Sequence, residues 1–362
     1  MDAGASPIEM GEEVGRDRGG PRQPLLLVRN LKKYFPIRGG FFGRTSAWVQ
    51  AVDGISFSIA KRETLGVVGE SGCGKSTAAR LLMRLIKADA GEVIFDGEPI
   101  GSHDGISVRE LRRNVQMVFQ DSYASLNPRL PIEESVAFTP RVHGLSARAA
   151  RERARALLGR VGLEPDLFAR RYPHELSGGQ RQRVNIARAL APEPRLVVLD
   201  EAVSALDKSI EAQVLNLLSE LKAEFDLTYL FISHDLNVVQ YLSDRVMVMY
   251  LGKIVEIGSV DAIYERPRHP YTRALLSAMP SLDPERRTTA PPLTGDPPNP
   301  INPPSGCRFR TRCAFAEGVC EGREPDATLV DERAQQFVAC HMSDPGSGHS
   351  RAAPRVADGG LQ

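Results

Sequence analysis

The chain has 362 residues, of which 42% are hydrophobic and 25% charged, the balance of a folded globular protein and not of a disordered one. Lysine plus arginine (46) nearly cancel aspartate plus glutamate (45), leaving a net charge of +1, so bulk electrostatics give no footprint for nucleic acid. Apolar runs such as residues 246–251 are far too short to cross a bilayer.

The first residues are polar and Gly-rich, with Glu9, Glu12, Glu13 and Asp17, and lack the apolar core of a secretion signal. A cytosolic chain is expected, and its five cysteines then read as metal ligands or spare thiols before disulfides. Residues 1–24 read as a disordered tail. Residues 25–28, 56–59 and 63–68 read as strands. A helix follows Gly74, with Ala78, Leu81, Leu82 and Leu85 on one face.

Residues 146–161 read as a second helix, because Ala150, Ala154, Leu157, Leu158 and Val161 recur at helical spacing. Arg148, Arg151, Arg153 and Arg155 cover its other faces; Glu152 interrupts them and no aromatics interleave, so they read as a solvated face. Residues 196–199 and 228–232 are continuous apolar runs, the pattern of parallel strands buried on both faces. Such strands alternating with helices predict an α/β fold. Beyond Tyr264 the character changes: residues 291–304 hold Pro291, Pro292, Pro297, Pro298, Pro300, Pro303 and Pro304, a stiff linker or wrap-around arm. A small Cys-containing module follows, then a Gly/Ser/Pro tail from Ser343.

Three strings carry the chemistry. Gly69, Glu70, Ser71, Gly72, Cys73, Gly74, Lys75, Ser76 and Thr77 match G-x-x-x-x-G-K-[ST] between a strand and a helix. Its glycines let backbone N–H groups converge on phosphate oxygens at a helix N-terminus. Lys75 is placed to reach the β- and γ-phosphates, and Ser76 offers a hydroxyl to Mg²⁺. Cys73 reads as a small side chain filling a variable position. In the second string, residues 195–201, an apolar strand ends in Asp200 and Glu201. In a parallel sheet that end lies beside the phosphate loop; Asp200 then holds Mg²⁺ through water, and Glu201 orients or deprotonates the attacking water. The third string is Leu176, Ser177, Gly178, Gly179 and Gln180, which presents backbone N–H groups at a second helix N-terminus.

Together these strings resemble an ATP-binding cassette (ABC) subunit over roughly residues 25–345. The resemblance implies a P-loop NTPase core at 25–264, with an antiparallel β subdomain and an inserted helical subdomain at about 122–180. It also implies a C-terminal extension at 265–342 and a disordered tail at 343–362. It implies that Tyr34, which an insertion at 39–49 follows, stacks on adenine. It implies that Gln120 senses Mg²⁺ and couples to membrane subunits, that Asp207 lies in the loop crossing the dimer interface, and that His234 is the switch histidine at the γ-phosphate. In the family two subunits, identical or paralogous, pair head-to-tail, so Ser177 to Gln180 of one would serve ATP held by the other. The family usually has Pro after the Asp-Glu pair; here it is Ala202.

The strings at 120–129, at 172–175, and at His269, Pro270, Tyr271, Thr272 and Arg273 are similar to the branch that powers oligopeptide and dipeptide import. They carry no evident chemistry of their own. Relatives in that branch take nickel chelates, glutathione or oligosaccharides, so the substrate stays open. Two membrane permease subunits, an extracytoplasmic substrate-binding protein and a place on the cytoplasmic face of the inner membrane are implied; nucleic acid is not. The competing readings are a soluble cassette ATPase working on nucleic acid or the ribosome, and a module that binds ATP without hydrolysing it.

Cys307, Cys313, Cys320 and Cys340 are separated by five, six and nineteen residues. Four such cysteines can hold Zn²⁺ or an iron–sulfur cluster, or remain free or disulfide-linked. The short C-x₂₋₄-C pairs of structural zinc are absent, and the branch resemblance implies a [4Fe–4S] cluster. Arg308, Arg310 and Arg312 alternate between the first two cysteines and read as solvated or interface charge.

Overall fold

A computed structural model describes residues 20, 23–39, 44–101, 105–279 and 295–353. The N-terminal tail read at 1–24 therefore lies almost wholly outside the described residues, as do Pro291 and Pro292 of the arm.

The chain begins with a long hairpin, β1 (Leu26–Gly39) and β2 (Arg44–Ile59), and enters the core at β3 (Thr64–Val68) and α1 (Lys75–Leu82). β4 (Ala90–Phe95) and β5 (Glu98–Pro99) complete a four-stranded antiparallel sheet in the order β2-β1-β4-β5. After α2 (Val108–Asn114) and β6 (Val115–Val118) come α3 (Ile132–Val142), α4 (Ala147–Arg160), α5 (Pro165–Phe168) and α6 (Gly178–Leu190). The chain returns through β7 (Leu196–Asp200), α7 (Lys208–Glu224), β8 (Thr228–Ile232), α8 (Leu236–Leu242), β9 (Arg245–Tyr250) and β10 (Lys253–Ser259). Last come α9 (Val260–Glu265), α10 (Pro270–Ser277), α11 (Gly318–Gly322), β11 (Ala327–Asp331) and β12 (Gln336–Ala339).

The central sheet has eight strands in the order β11-β12-β10-β9-β3-β8-β7-β6. β6, β7, β8, β3 and β9 run parallel, and β10, β12 and β11 add antiparallel strands at one edge. The C-terminal extension is thus a continuation of the sheet. The core strands are buried on both faces. Leu196, Val198, Leu230 and Ile232 join a core with β1 and α1, whereas Val197, Leu199, Tyr229 and Phe231 join one with α4, α6 and α7. This two-sided burial explains why those runs are continuously apolar.

α4 covers the span read as the second helix. Ser146 caps it, accepting from Ala149 N–H, and Ala150, Ala154, Leu157, Leu158 and Val161 are buried. Arg148, Arg151, Arg153 and Arg155 all carry ion pairs, to Glu152, Glu134, Glu193 and Asp166 respectively. Two expectations fail. Leu85 is 46% exposed because α1 ends at Leu82, three residues before it. The chain also stays packed beyond Ser343: Ser347 and His349 are buried, Ser347 Oγ donates to the His341 carbonyl at 2.6 Å, and a His349 ring nitrogen lies 2.9 Å from the Phe315 carbonyl oxygen. Of the proline arm, the described part is tied to β2 by Gln50 N–H donating to the Pro300 carbonyl at 3.0 Å.

Candidate active site

The phosphate loop joins β3 to α1. Gly69, Gly72 and Gly74 all have positive φ, at 149°, 77° and 110°, a region that L side chains rarely adopt. At Gly74 space is lacking too: a Cβ there would lie 2.2 Å from the Ala51 carbonyl oxygen of β2. Ser71 and Gly72 are exposed at the outer bend, and Cys73 and Lys75 are buried. Lys75 Nζ donates to the carbonyls of Gly69 at 2.6 Å and Glu70 at 3.1 Å, which puts a cation inside the loop. Burial pushes the Cys73 thiol up, against the pull of Lys75; a neutral, packed thiol agrees with its reading as a filler side chain.

Ser76 Oγ donates to Asp200 Oδ1 at 2.9 Å. Two of the three residues read for Mg²⁺, Ser76 and Asp200, are therefore neighbours, joined across α1 and the end of β7, and a hydroxyl–carboxylate pair suits a hard cation. Burial raises the Asp200 pKa; the Glu201 charge adds to this, and the Ser76 hydrogen bond, Arg80 and Lys75 oppose it. The next residue, Glu201, has φ 50°. Its N–H donates to the Ile232 carbonyl at 2.9 Å and its carbonyl accepts from Ser204 N–H at 3.3 Å. This turn closes with Ala202 buried, so the chain accommodates the position where proline is usual. Gln120 Nε2 donates to Glu201 Oε2 at 2.8 Å, and His234 Nδ1 lies 3.5 Å from the same oxygen. Residues read separately from three loops thus meet at one carboxylate.

The remaining readings fall on other elements. Ser177 caps α6: Gln180 N–H donates to Ser177 Oγ at 3.3 Å and Gln180 Oε1 accepts from Ser177 N–H at 2.9 Å. A Cβ on Gly179 would lie 2.6 Å from Ile210 Cγ2 of α7, so this string packs on the helix that Asp207 begins. Tyr34 pairs with Gln50 across the hairpin, and its hydroxyl donates to Asp53 Oδ1 at 2.5 Å. Burial, with the Asp53 hydrogen bond, pushes its pKa up to about 12.

Cys307, Cys313, Cys320 and Cys340 all line one small cavity. Burial pushes the Cys307 thiol up to about 12, Cys340 up to about 11, and Cys313 in the same direction. At Cys313, Phe315 N–H donates to Sγ at 3.4 Å. Such N–H···S bonds stabilise thiolate ligands in iron–sulfur sites. Among the described residues no three His, Cys, Asp or Glu side chains are grouped as one metal ion requires. The chain therefore brings the four thiols to one cavity without gathering them at one point.

Several working residues were not legible as such. His269 is buried at the N-cap of α10, where Nδ1 accepts from Tyr271 N–H at 3.1 Å. Tyr271 Oη accepts from Glu70 N–H of the phosphate loop at 2.9 Å. The string at 269–273 thus has a mechanical role. Arg308 and Arg312, read as solvated or interface charge, turn into the chain itself: Arg308 is 9% exposed and pairs with Asp53, and the Arg312 side chain is 5% exposed and pairs with Glu70.

The sequence pattern of the family described as ABC transporter matches residues 52–204, and that of the oligopeptide/dipeptide transporter C-terminal region matches residues 255–320. The oligopeptide transport ATP-binding protein AppF of Bacillus subtilis is 50% identical over 329 residues, which is 89% of this chain and 98% of that protein. OppF of Salmonella typhimurium, also an oligopeptide transport ATP-binding protein, is 48% identical over 330 residues, covering 90% and 98% of the two chains. Among solved structures, cbiO1 of Clostridium perfringens, part of the ABC transporter complex cbiONQ, superposes with a TM-score of 0.57 at 29% identity, covering 67% of this chain and 91% of that one. The ATP-binding cassette MJ0796, in a post-hydrolysis state with ADP and Pi, gives 0.56 at 28% identity, covering 65% and 98%. The chain belongs to the ATP-binding subunits of ABC transporters, in the branch that carries the oligopeptide/dipeptide C-terminal region.

Proposed function

We propose that this ABC ATPase powers the import of peptides, working as one of a pair of cassettes on two membrane permease subunits at the cytoplasmic face of the inner membrane, with an extracytoplasmic binding protein delivering substrate. The observation that carries the catalytic part is the meeting of Gln120 and His234 at Glu201, next to the Ser76–Asp200 pair. The oligopeptide transport ATP-binding proteins AppF and OppF, which this chain matches over nearly their whole length, support the substrate class.

In this reading the amides of residues 69–77 and Lys75 bind the β- and γ-phosphates, with Ser76 and Asp200 as ligands to Mg²⁺. Mg²⁺, when bound, neutralises phosphate charge. Glu201 accepts a hydrogen bond from the attacking water and takes its proton; Gln120 and His234 hold the carboxylate oxygen they share. Tyr34 contributes its ring to the adenine. The string from Ser177 to Gln180, with Asp207, serves the ATP of the facing subunit, so closure of the pair depends on nucleotide.

The thiol module takes an iron–sulfur cluster held by Cys307, Cys313, Cys320 and Cys340. Their shared cavity and the Phe315 amide bonded to Cys313 Sγ support that reading. A single zinc ion, which needs its ligands around one point, suits the dispersed thiols less well. The cluster, when bound, supplies a covalent cross-link to a segment too small for a core of its own.

The test is ATP turnover by the purified full chain against Glu201→Gln and Lys75→Ala. Loss of turnover with ATP binding kept in the first, and loss of binding in the second, is expected. Undiminished turnover in Glu201→Gln removes that residue from the chemistry.

A further inference from the structure

Two arginines of the segment between Cys307 and Cys313 turn inward, toward the phosphate loop. Arg308 donates to Gln50 Oε1 at 2.7 Å, to the Leu251 carbonyl and to the Asp53 carboxylate. Gln50 and Asp53 flank Ala51, whose carbonyl oxygen leaves no room for a Cβ on Gly74. Arg312 forks across the Glu70 carboxylate, at 2.7 Å from Nη1 and 3.0 Å from Nη2. Glu70 is the second residue of the loop. Its amide donates to Tyr271 Oη at 2.9 Å, and its carbonyl accepts from Lys75 Nζ at 3.1 Å. The C-terminal extension therefore grips this one loop residue by both side chain and backbone.

A phosphate cradle works by holding its amides in place before the anion arrives. This loop has three glycines at positive φ, and glycine gives up more conformational freedom on ordering than any other residue. An external anchor removes part of that cost, and a two-pronged Arg–carboxylate pair fixes direction as well as distance. The pair also has an electrostatic role. Glu70 places a carboxylate in a loop read as a site for phosphates, and Arg312 cancels its charge where little solvent reaches the guanidinium.

We propose that Arg312 is a positioning residue for ATP, through which the thiol-bearing extension sets nucleotide affinity. It acts through Glu70, both by pinning the loop and by neutralising an anion next to the phosphates, while its guanidinium also lies over the Tyr250 ring. The inference rests on the reading of residues 69–77 as the ATP cradle.

The test measures MgATP affinity and saturated turnover of the full chain carrying Arg312→Ala, Arg312→Lys, Glu70→Gln and the double variant Arg312→Ala/Glu70→Gln. Arg312→Ala weakens ATP binding about tenfold or more, the scale of an ion pair broken on one side, and saturated turnover falls much less. Arg312→Lys keeps the charge without the fork and lies between Arg312→Ala and the parent. Adding Glu70→Gln to Arg312→Ala recovers most of the lost affinity, because the stranded carboxylate is gone. A residue that merely stabilises the fold gives no such recovery. Arg312→Ala with parental affinity overturns the proposal, as does an equal loss of affinity with and without Glu70→Gln. If Arg312→Ala does not fold, parental affinity in Arg312→Lys overturns it equally. Parental ATP binding by Lys75→Ala would instead overturn the cradle reading, so the two failures are distinct.

Discussion

Gln120 Nε2 and Glu201 Oε2 are 2.8 Å apart, so a residue from the loop after β6 holds the carboxylate at the end of β7. The loop after β6 continues into α3 to α6, the helices on which Phe138 and Leu167 are 60% and 62% exposed. A displacement of that helical layer reaches Glu201 through one hydrogen bond. In the proposed reading, this bond is the route by which a permease subunit docked on the helices would gate hydrolysis.

Glu201→Gln is therefore expected to lower turnover by about 10²- to 10⁴-fold, the range for losing a general base. The amide keeps the shape of the side chain but cannot take a proton. ATP binding persists, and a nucleotide-held pair of subunits accumulates. Steady-state phosphate release, with size-exclusion chromatography in MgATP, reads both effects.

Gly74→Ala and Gly72→Ala should separate crowding from backbone strain. Both positions have positive φ, which costs an L residue roughly 1–2 kcal/mol. A Cβ at Gly72 meets nothing within 4 Å, whereas one at Gly74 lies 2.2 Å from the Ala51 oxygen. Gly72→Ala should bind MgATP with modest loss, and Gly74→Ala should lose binding by about tenfold or more as loop or β2 shifts. Equal affinities would mean that the Ala51 contact does not shape the cradle.

His269 gives a pH signature. Burial holds its imidazole down at about 3, against about 6.5 in an unfolded chain. The unfolded state therefore binds the proton first, and stability falls as pH drops from about 6.5 toward 3. Protonating Nδ1 also removes the acceptor for Tyr271 N–H. His269→Asn keeps an acceptor at this cap and should show a smaller fall in Tm between pH 7 and 5 than the parent. Parallel Tm curves would remove His269 as a source of acid sensitivity.

The thiol module predicts iron and acid-labile sulfide near about four per chain in protein purified without oxygen. Zinc near about one per chain would make the module a structural clip instead. Replacing Cys320, the buried residue of α11 whose carbonyl accepts from Cys307 N–H at 2.8 Å, by Ser should lower the iron content.

The parallel core was legible because its strands are buried on both faces, and residues 69–77 because the loop's chemistry is local in sequence. Ser76, Asp200, Gln120, Glu201 and His234 had strands to mark them, and the sheet brings them together. Arg312 was misread because its partner lies 242 residues away, and an arginine among polar neighbours looks solvated until the chain folds. Tyr271 and His269 were legible only as a string, since a cap and a hydroxyl contact need the third dimension. The packed segment past Ser343 was missed for a related reason. Its Gly, Ser and Pro content resembles a tail, but Ser347 and His349 close hydrogen bonds onto His341 and Phe315.

The most direct test of the central claim is uptake of a labelled peptide into vesicles carrying the assembled transporter, with ATP supplied on the side of this subunit and phosphate release followed in parallel. The account predicts that peptide uptake requires ATP hydrolysis and that Glu201→Gln abolishes both. Peptide uptake that persists in Glu201→Gln, or hydrolysis that no peptide and binding protein can stimulate, would contradict it.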